Sequence, residues 1–289
     1  MKSDAVTRPF KVAVIQHAPV FLNLEASLEK ACALIEQAAG AGAKIIAFPE
    51  TWLPGYPVWL EYAPRSAEWD YAPAKALYRL LFENAVAISG PQGGPHLEPL
   101  LSAAHRTGTY LVMGAHERDG GTLYNTILYI SPDGKSFQIH RKLVPTYTEH
   151  LVWGRGDGST LGVMGTGYGN LGGLICWEHW MPLARAAMHA QDETVHVAQW
   201  PAVRDLHQLA SRHYAFEGQC FVLAAGAILS RADVLDGIHS LDQPASEAVE
   251  FLETIPGEDT DLLLQGGSAV IAPDSGYVAG PVFGEAAIV

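Results

Sequence analysis

Residues 170–179 read Asn-Leu-Gly-Gly-Leu-Ile-Cys-Trp-Glu-His, an apolar run that ends at Cys176 and then becomes polar. The run predicts a buried strand over Asn170–Trp177, and the residues that follow predict a helix over Pro182–Ala190. A strand that leads into a helix is typical of α/β folds. We therefore expect Cys176 to lie just after a strand, where a side chain can reach a cleft and the next amides can donate hydrogen bonds.

The start of the chain shows the same alternation. Val12–Ile15 predicts a strand, Leu24–Ala39 an amphipathic helix and Lys44–Phe48 a second strand. The other predicted elements are helices over Lys75–Glu83, Leu97–Arg106 and Leu206–Gly218, and strands over Tyr110–Ala115, Leu123–Ile130, Phe137–Lys142, Val195–Gln199, Cys220–Ala225, Ser268–Ala272 and Glu285–Val289. Ser230–Asp261 is acidic and poorly periodic, which indicates an inserted excursion. Because no linker or repeat interrupts the pattern, one domain over residues 1–289 is expected.

The composition narrows the class of protein. Of 289 residues, 48% are hydrophobic and 17% are charged, which is typical of a folded globular chain. The formal net charge of −13 argues against nucleic acid or an anionic membrane as a partner. The N-terminus Met1-Lys2-Ser3-Asp4 leads into no apolar signal region, and no apolar run reaches the ~18 residues of a membrane-spanning helix. Three cysteines do not form a disulfide framework, so we expect a reducing cytoplasm in which Cys176 is a free thiol.

Four side chains stand in contexts that favour catalysis. Cys176 is a possible nucleophile, and a thiol attacks best as a thiolate beside a cation or base. Glu50 follows the apolar strand over 44–48, where burial would raise its pKa and make it a general base. Lys142 ends a predicted strand and could stabilise negative charge and lower the pKa of the thiol, and Glu149 follows seven residues later. Taken singly, each also fits a structural role as a buried cysteine or a solvated charge.

The sequence contains little that indicates a metal site or a nucleotide site. The chain has twelve histidines but neither an H-E-x-x-H motif nor a paired C-x-x-C motif. Residues 167–172 match the glycine pattern of a dinucleotide site, but they precede a predicted strand instead of opening a helix. We therefore expect neither a metal nor an organic cofactor.

Several segments together resemble the nitrilase superfamily, and specifically its nitrilase branch. The resemblance spans nearly the whole chain. The segments that carry it most strongly are Phe48-Pro49-Glu50-Thr51, Leu53-Pro54-Gly55-Tyr56-Pro57, His140-Arg141-Lys142-Leu143-Val144-Pro145-Thr146, Val152-Trp153-Gly154-Arg155-Gly156-Asp157-Gly158 and Gly172-Gly173-Leu174-Ile175-Cys176-Trp177-Glu178-His179.

The resemblance implies a fold and a catalytic set. The fold would be a four-layer α-β-β-α sandwich that forms a homodimer across a helix surface or a higher spiral homo-oligomer. Glu50 would be the base, Lys142 the electrostatic stabiliser and Cys176 the nucleophile, with Glu149 as an additional catalytic-site glutamate. The expected reaction is hydrolysis of an organic nitrile by water to a carboxylic acid and ammonia, through a thioimidate and a thioester on Cys176, with some amide as a by-product. The backbone amide of Trp177 would stabilise charge on the nitrile nitrogen.

Alternative activities remain possible on the same residues. The sequence also departs from the family pattern in two places. An amidase or carbamoylase, or a cyanide-hydrolysing enzyme, would use the same Glu-Lys-Cys triad, although Trp177 and Glu178 favour nitrile over amide. A non-catalytic scaffold protein is a remote alternative. His150 stands where relatives commonly have arginine, which puts the support of Glu149 in doubt. The C-terminal tail that helps assembly in the family is also expected to be absent.

Aromatic and histidine side chains near these motifs are possible substrate contacts. The predicted pocket residues are Tyr56, Trp59, Trp153, His179 and Trp200. Their aromatic surfaces would suit aryl or arylaliphatic nitriles and could also line a pocket for aliphatic ones. Ordinary packing in the core is the alternative for each of them.

Overall fold

Two β-sheets packed face to face form the centre of the computed structural model, which describes residues 9–289. The expectation drawn from Met1-Lys2-Ser3-Asp4 lies outside the described residues. Among the residues described, the strands are β1 (Lys11–Gln16), β2 (Ala43–Ala47), β3 (Val86–Ala87), β4 (Tyr110–Asp119), β5 (Thr122–Ile130), β6 (Phe137–Arg141), β7 (Met164–Thr166), β8 (Gly169–Ile175), β9 (Glu193–Trp200), β10 (Phe221–Gly226), β11 (Ile228–Ser230), β12 (Leu262–Ile271), β13 (Tyr277–Phe283) and β14 (Ala287–Ile288).

Helices cover the sheets and connect the strands. The α-helices are α1 (Leu24–Gly40), α2 (Trp59–Tyr62), α3 (Ala72–Glu83), α4 (Glu98–Thr107), α5 (Pro182–His189), α6 (Asp205–Gly218), α7 (Arg231–His239) and α8 (Ser246–Glu253). Short 3₁₀ turns are Tyr147–Leu151, Gly158–Thr160 and Cys176–Trp180. Across the described part of the chain, no helix combines the length and the hydropathy that a bilayer crossing needs.

Each sheet combines parallel and antiparallel pairing. The first has the order β14-β1-β2-β4-β5-β6, with β3 also paired to β4, and its β1-β2-β4 core is parallel. The second has the order β11-β12-β10-β9-β8-β7, with β13 paired to β12, and its β8-β9-β10 core is parallel. The parallel cores place the carboxyl ends of β2 and β8, which precede Glu50 and Cys176, at the edges where active sites of α/β proteins form.

The alternation of apolar side chains along the strands produces the layers. On β1, Val14 points into a core that lies between the two sheets, whereas Ala13 and Ile15 point into a second core beneath α1 and α4. Helices α5 and α6 cover the second sheet. The resulting order is helix layer, sheet, sheet, helix layer, so the expected four-layer α-β-β-α sandwich is confirmed.

Three of the differences between the structure and the predicted elements have a clear physical reason or affect the site. The excursion over 230–261 contains two helices, α7 and α8, which pack with α2 and α3 in a third apolar cluster. The strand predicted over Asn170–Trp177 ends at Ile175, and a tight turn begins at Cys176. Strand β13 is largely exposed on both faces, so it lacks the alternation that would have predicted it.

Candidate active site

Cys176 occupies the first position after the buried strand β8. Its backbone has a φ of +51°, a left-handed conformation that costs a non-glycine residue about 1 kcal/mol or more. The residue is only 5% exposed, yet it forms part of the wall of a cavity. This sharp change of backbone direction turns the thiol out of the sheet and toward the loops of the first sheet.

Glu50, Lys142 and Glu149 come from the first sheet and meet Cys176 in a buried cluster. Glu50 follows β2, Lys142 directly follows β6, and Glu149 lies in the 3₁₀ turn after it. The Lys142 Nζ donates hydrogen bonds to Glu50 Oε1 at 2.8 Å and to Glu149 Oε2 at 2.7 Å. A carboxylate oxygen of each glutamate and the Cys176 Sγ lie within 4.8 Å of one another. The structure thus brings the four predicted catalytic residues together.

The two carboxylates are oriented by further hydrogen bonds. Asn125 Nδ2 donates to Glu50 Oε1 at 2.7 Å, while Tyr56 Oη donates to Glu149 Oε1 at 3.0 Å. The Thr146 backbone N–H donates to Glu149 Oε2 at 2.6 Å. Glu50 Oε2 is buried and has no partner among the described residues, so it is the oxygen left free to accept a proton.

The cavity beside the thiol has a volume of about 470 Å³. Its walls combine side chains of the catalytic cluster with aromatic, charged and apolar groups: Tyr56, Leu60, Glu61, Thr146, Tyr147, Thr148, Glu149, Cys176, Trp177, Pro201, Ala202, Arg204, His207 and Leu264. A space of this size holds a small organic molecule. The geometry is therefore that of a site for covalent attack on a small electrophile.

Comparison with known proteins identifies the family. The sequence profile described as Carbon-nitrogen hydrolase matches residues 11–288, almost the whole chain. The chain belongs to the carbon-nitrogen hydrolase family. It is 38% identical to an aliphatic nitrilase of Sinorhizobium fredii, over 94% of this chain and 82% of that protein. It is also 38% identical to a nitrilase of Pseudomonas syringae, over 95% of this chain and 78% of that protein.

Solved structures of the superfamily share the fold of this carbon-nitrogen hydrolase. A CN-hydrolase superfamily protein from Xanthomonas campestris matches with a TM-score of 0.67 and 16% identity, covering 98% of this chain and 89% of that one. An amidase from Nesterenkonia sp. matches with a TM-score of 0.66 and 15% identity, covering 100% and 92%. At such low identity the agreement concerns the fold alone.

The protonation of Glu50, Lys142 and Cys176 in this hydrolase follows from their burial and their neighbours. Burial raises the pKa of Glu50 to about 7, although Lys142 and Asn125 act to lower it. Burial alone would lower the pKa of Lys142, but the surrounding acidic groups raise it above its usual value, so it is a fixed cation. Burial and Glu50 raise the pKa of Cys176 well above its usual value, more than Lys142 and the Trp177 amide lower it. Lys142 thus lowers the thiol pKa as expected, but burial and Glu50 outweigh it, so the thiol needs a base.

Lys142 bonds to two residues that could also hold a metal ion. Glu50, Glu149 and Cys176 have the spacing of a possible ligand set. The ammonium group already bonds to an oxygen of each carboxylate, so it supplies the positive charge of the cluster.

Glu178 joins the loop that carries Lys142 to the segment that carries Cys176. One carboxylate oxygen accepts a hydrogen bond from the Leu143 N–H at 2.8 Å, and the other accepts one from the Ile175 N–H at 2.7 Å. Leu143 is the neighbour of Lys142, and Ile175 is the neighbour of Cys176. The side chain is fully buried, and its carboxylate links the backbone next to Lys142 to the backbone next to Cys176.

The loop that carries Glu50 is fixed from both sheets. Gln199 Nε2 on β9 donates to the Phe48 carbonyl at 2.9 Å. Gly114 on β4 lies so close that a Cβ there would stand 2.0 Å from the Pro49 carbonyl oxygen and 2.6 Å from the Thr51 nitrogen. Only glycine leaves room for the loop at this position.

Of the five predicted pocket residues, only Tyr56 lies in the cavity wall. Trp59 packs edge-on against Phe21 in the apolar cluster around α2. Trp153 donates from its Nε1 to His116 and lies 5.7 Å from the Lys142 Nζ. Both side chains are buried. Aromatic rings near a site often form the core that supports it.

His179 and Trp200 also lie outside the cavity wall. His179 is buried behind Cys176 and stacks on Trp200, whose Nε1 donates to Ser211. The expectation that these two residues line the pocket is therefore corrected, because they pack on the helix side of the second sheet. By contrast, the exposed ring of Trp177 does line the cavity.

Two placements bear on positions that the sequence left uncertain. His150 is exposed, while the neighbouring Glu149 is buried and supported by Lys142, Tyr56 and Thr146. Asn125 was not predicted, although a polar amide inside the apolar segment 123–130 is a signal that could have found it.

Proposed function

We propose that this carbon-nitrogen hydrolase is a nitrilase, which converts an organic nitrile and two water molecules into a carboxylic acid and ammonia. The observation that carries the proposal is the buried Lys142 ammonium between Glu50 and Glu149, with the Cys176 sulfur next to both carboxylates at the wall of the cavity. The names of the relatives support the nitrile as substrate, since the matched proteins include an aliphatic nitrilase and a nitrilase.

The first step is attack of the thiol on the nitrile carbon. As the S–C bond forms, Glu50 Oε2 takes the thiol proton and one C–N π bond breaks toward nitrogen. The Lys142 ammonium and the Trp177 backbone N–H stabilise the negative charge that develops there. Glu50 then gives its proton to the nitrogen, which leaves a neutral thioimidate on Cys176.

Water completes the reaction in two additions. Glu50 removes a proton from the first water, and its oxygen attacks the thioimidate carbon while Glu149 holds Lys142 in place. Glu50 returns this proton to the nitrogen and then moves the hydroxyl proton of the adduct to the same nitrogen, so the C=O bond forms, the C–N bond breaks, ammonia leaves and a thioester remains. A second water breaks the C–S bond and gives the acid and the free thiol.

The same intermediate also explains an amide by-product. If the C–S bond of the tetrahedral adduct breaks before the C–N bond, the enzyme releases the amide. Relatives in Lupinus angustifolius bear the name bifunctional nitrilase/nitrile hydratase and are 36% identical to this chain. We therefore expect acid as the main product and amide as the minor one.

The decisive experiment measures ammonia, acid and amide from aryl, arylaliphatic and aliphatic nitriles, their amides and cyanide. Cys176→Ala removes the nucleophile and should abolish turnover, whereas Cys32→Ala, a half-buried cysteine on α1, is the matched control and should retain it. Turnover of amides alone would assign the protein to an amidase, and full activity of Cys176→Ala would overturn the covalent mechanism.

We propose further that the protein is a single domain over residues 1–289 that assembles as a homodimer or a spiral homo-oligomer. Helix α6 exposes Leu206, Leu209 and Phe216 on one face, each more than 60% accessible. Burial of these side chains in a partner would favour association. Leu209→Glu should lower the molar mass measured by light scattering, and an unchanged mass would contradict this surface.

We also propose a cytoplasmic location. The three cysteines are free in the structure, including the buried Cys176 and Cys220. A reducing compartment keeps a catalytic thiol in this state.

A further inference from the structure

A buried chain of hydrogen bonds runs from the backbone of Cys176 away from the cavity. His179 Nδ1 lies 2.8 Å from the Cys176 carbonyl oxygen, and His179 Nε2 lies 2.9 Å from His196 Nε2. His196 Nδ1 lies 2.8 Å from Glu193 Oε1. We call these four residues the two-histidine chain. Its three side chains are buried, and none of them takes part in the proposed proton transfers.

The fixed direction of the first hydrogen bond determines the others. A carbonyl oxygen only accepts, so His179 must carry its proton on Nδ1. A neutral His179 then accepts at Nε2, which requires His196 to carry its proton on Nε2. His196 accepts at Nδ1 in turn, so the partner oxygen of Glu193 must carry a proton.

The alternative arrangement separates charge inside the protein. It has the same number of protons but makes His179 a cation and Glu193 an anion. Burial and the neighbouring His196 lower the pKa of His179 to about 3, and burial raises the pKa of Glu193 to about 8. Both directions favour the neutral arrangement because an unsolvated charge is costly in the interior.

The two carboxyl oxygens of Glu193 have different partners. Tyr214 Oη on α6 donates to Glu193 Oε2 at 2.6 Å, which leaves the other oxygen to donate. Gly172 on β8 makes room for the group, because a Cβ there would stand 2.1 Å from Glu193 Oε1.

The ionisable groups around Glu193 come from several elements. His196 lies on the same strand, and His189 on α5 is the group whose charge lowers the pKa of Glu193. Glu193 also interacts electrostatically with Tyr214 on α6, Cys220 just before β10 and Tyr129 on β5. None of these groups is a lysine or an arginine that would pair with an anion.

We propose that Glu193 acts as a neutral carboxylic acid that positions Cys176 through the two-histidine chain. The left-handed backbone of Cys176 needs such a restraint, because its conformation is unfavourable by itself. If Glu193 loses its proton, His196 donates to it from Nδ1, and two bare nitrogens of His196 and His179 then face each other at 2.9 Å. Their repulsion breaks the chain and frees the Cys176 carbonyl.

The first test measures directly which ring nitrogens of His179 and His196 carry protons, and it does not depend on turnover. In ¹⁵N-histidine NMR at pH 7, we expect His179 to be protonated on Nδ1 only and His196 on Nε2 only. Doubly protonated His179, or His196 protonated on Nδ1, overturns the proposal.

The second test uses pH profiles of kcat/KM and rests on the proposed nitrilase function. The wild type should lose activity above about pH 8, the pKa of Glu193. Glu193→Gln reproduces the neutral acid, because its amide donates to His196 and its oxygen accepts from Tyr214. This variant should keep wild-type kcat/KM at pH 7 and lack the alkaline fall. Glu193→Ala should lose roughly 10- to 100-fold.

Tyr214→Phe is a milder variant that removes one hydroxyl. It takes away a hydrogen bond that favours the ionised acid, so the alkaline fall should move to higher pH. Glu193→Gln activity as low as that of Glu193→Ala, or an unchanged alkaline fall in Glu193→Gln, overturns the proposal. If the wild type hydrolyses no nitrile, the proposed function fails, while the NMR measurement still decides the state of Glu193.

Discussion

Glu178 and His140 form a buried pair in which the ring Nε2 lies 2.9 Å from the carboxylate. The same carboxylate holds the backbone next to Lys142 and the backbone next to Cys176. Burial alone would raise the pKa of Glu178, but His140 and the two amides lower it below its usual value. The side chain is therefore an anion that joins two catalytic loops from different sheets.

Glu178→Gln should lower kcat by roughly 10- to 100-fold because one of its two acceptors becomes an N–H group facing a backbone N–H. Steady-state kinetics at pH 7.5 checks this, with the exposed Glu247→Gln on α8 as control. A variant with wild-type kcat would show that the bridge does not position the site.

Activity should fall on the acid side of about pH 7, because Glu50 must be ionised to accept the thiol proton. The contribution of Glu50 to the free energy of unfolding changes with pH in the opposite direction from the activity. The folded state holds its proton between pH 4.5 and about 7 while the unfolded state releases it, so this contribution decreases as the pH rises. Parallel measurement of kcat/KM and of thermal unfolding separates the two. An acid loss of activity that coincides with unfolding would contradict the assignment to Glu50.

Lys142→Met should abolish activity and destabilise the fold by about 3–5 kcal/mol at pH 7.5, because two buried carboxylates lose their cation. The loss should shrink at pH 5, where the carboxyl groups can take up protons. Urea unfolding at both pH values measures it, and the exposed Lys75→Met is the control. A destabilisation independent of pH would argue against unpaired carboxylates as its cause.

Gly114→Ala should disable the enzyme without touching any catalytic side chain. The new Cβ would push the Glu50 loop away from β4, and a shift of about 1 Å costs ~100-fold in rate. Gly121→Ala is the matched control, since a Cβ there meets nothing within 4 Å. Equal kinetics of the two variants would mean that the loop adapts.

Strong local patterns predicted most of the fold. The β1-α1-β2 opening has clear periodicity, and its helix was predicted over 24–39 and extends over Leu24–Gly40. Helix α7 escaped prediction because it buries only Val234, Gly237 and Ile238, too few for an apolar stripe. Strand β13 escaped because both of its faces meet solvent.

The four proposed catalytic residues stand in distinctive sequence contexts and motifs, whereas their supporting residues depend on contacts across the fold. Asn125 and Glu193 each look like ordinary strand residues in the sequence, and their roles arise from partners 75 and 21 positions away. Trp59, Trp153 and Trp200 failed as pocket predictions for the converse reason. The sequence around a tryptophan near a motif does not show whether the ring faces the cavity or, like Trp200, is buried in the core.

Because the active site is divided between the two sheets, the rate of turnover depends on how the sheets are aligned. Glu50, Lys142 and Glu149 follow strands of one sheet, and Cys176 follows a strand of the other. A small sliding of one sheet over the other separates base from nucleophile while both hydrogen-bond ladders stay intact. During gradual denaturation, catalysis should therefore disappear before the far-ultraviolet circular dichroism of the strands and helices changes.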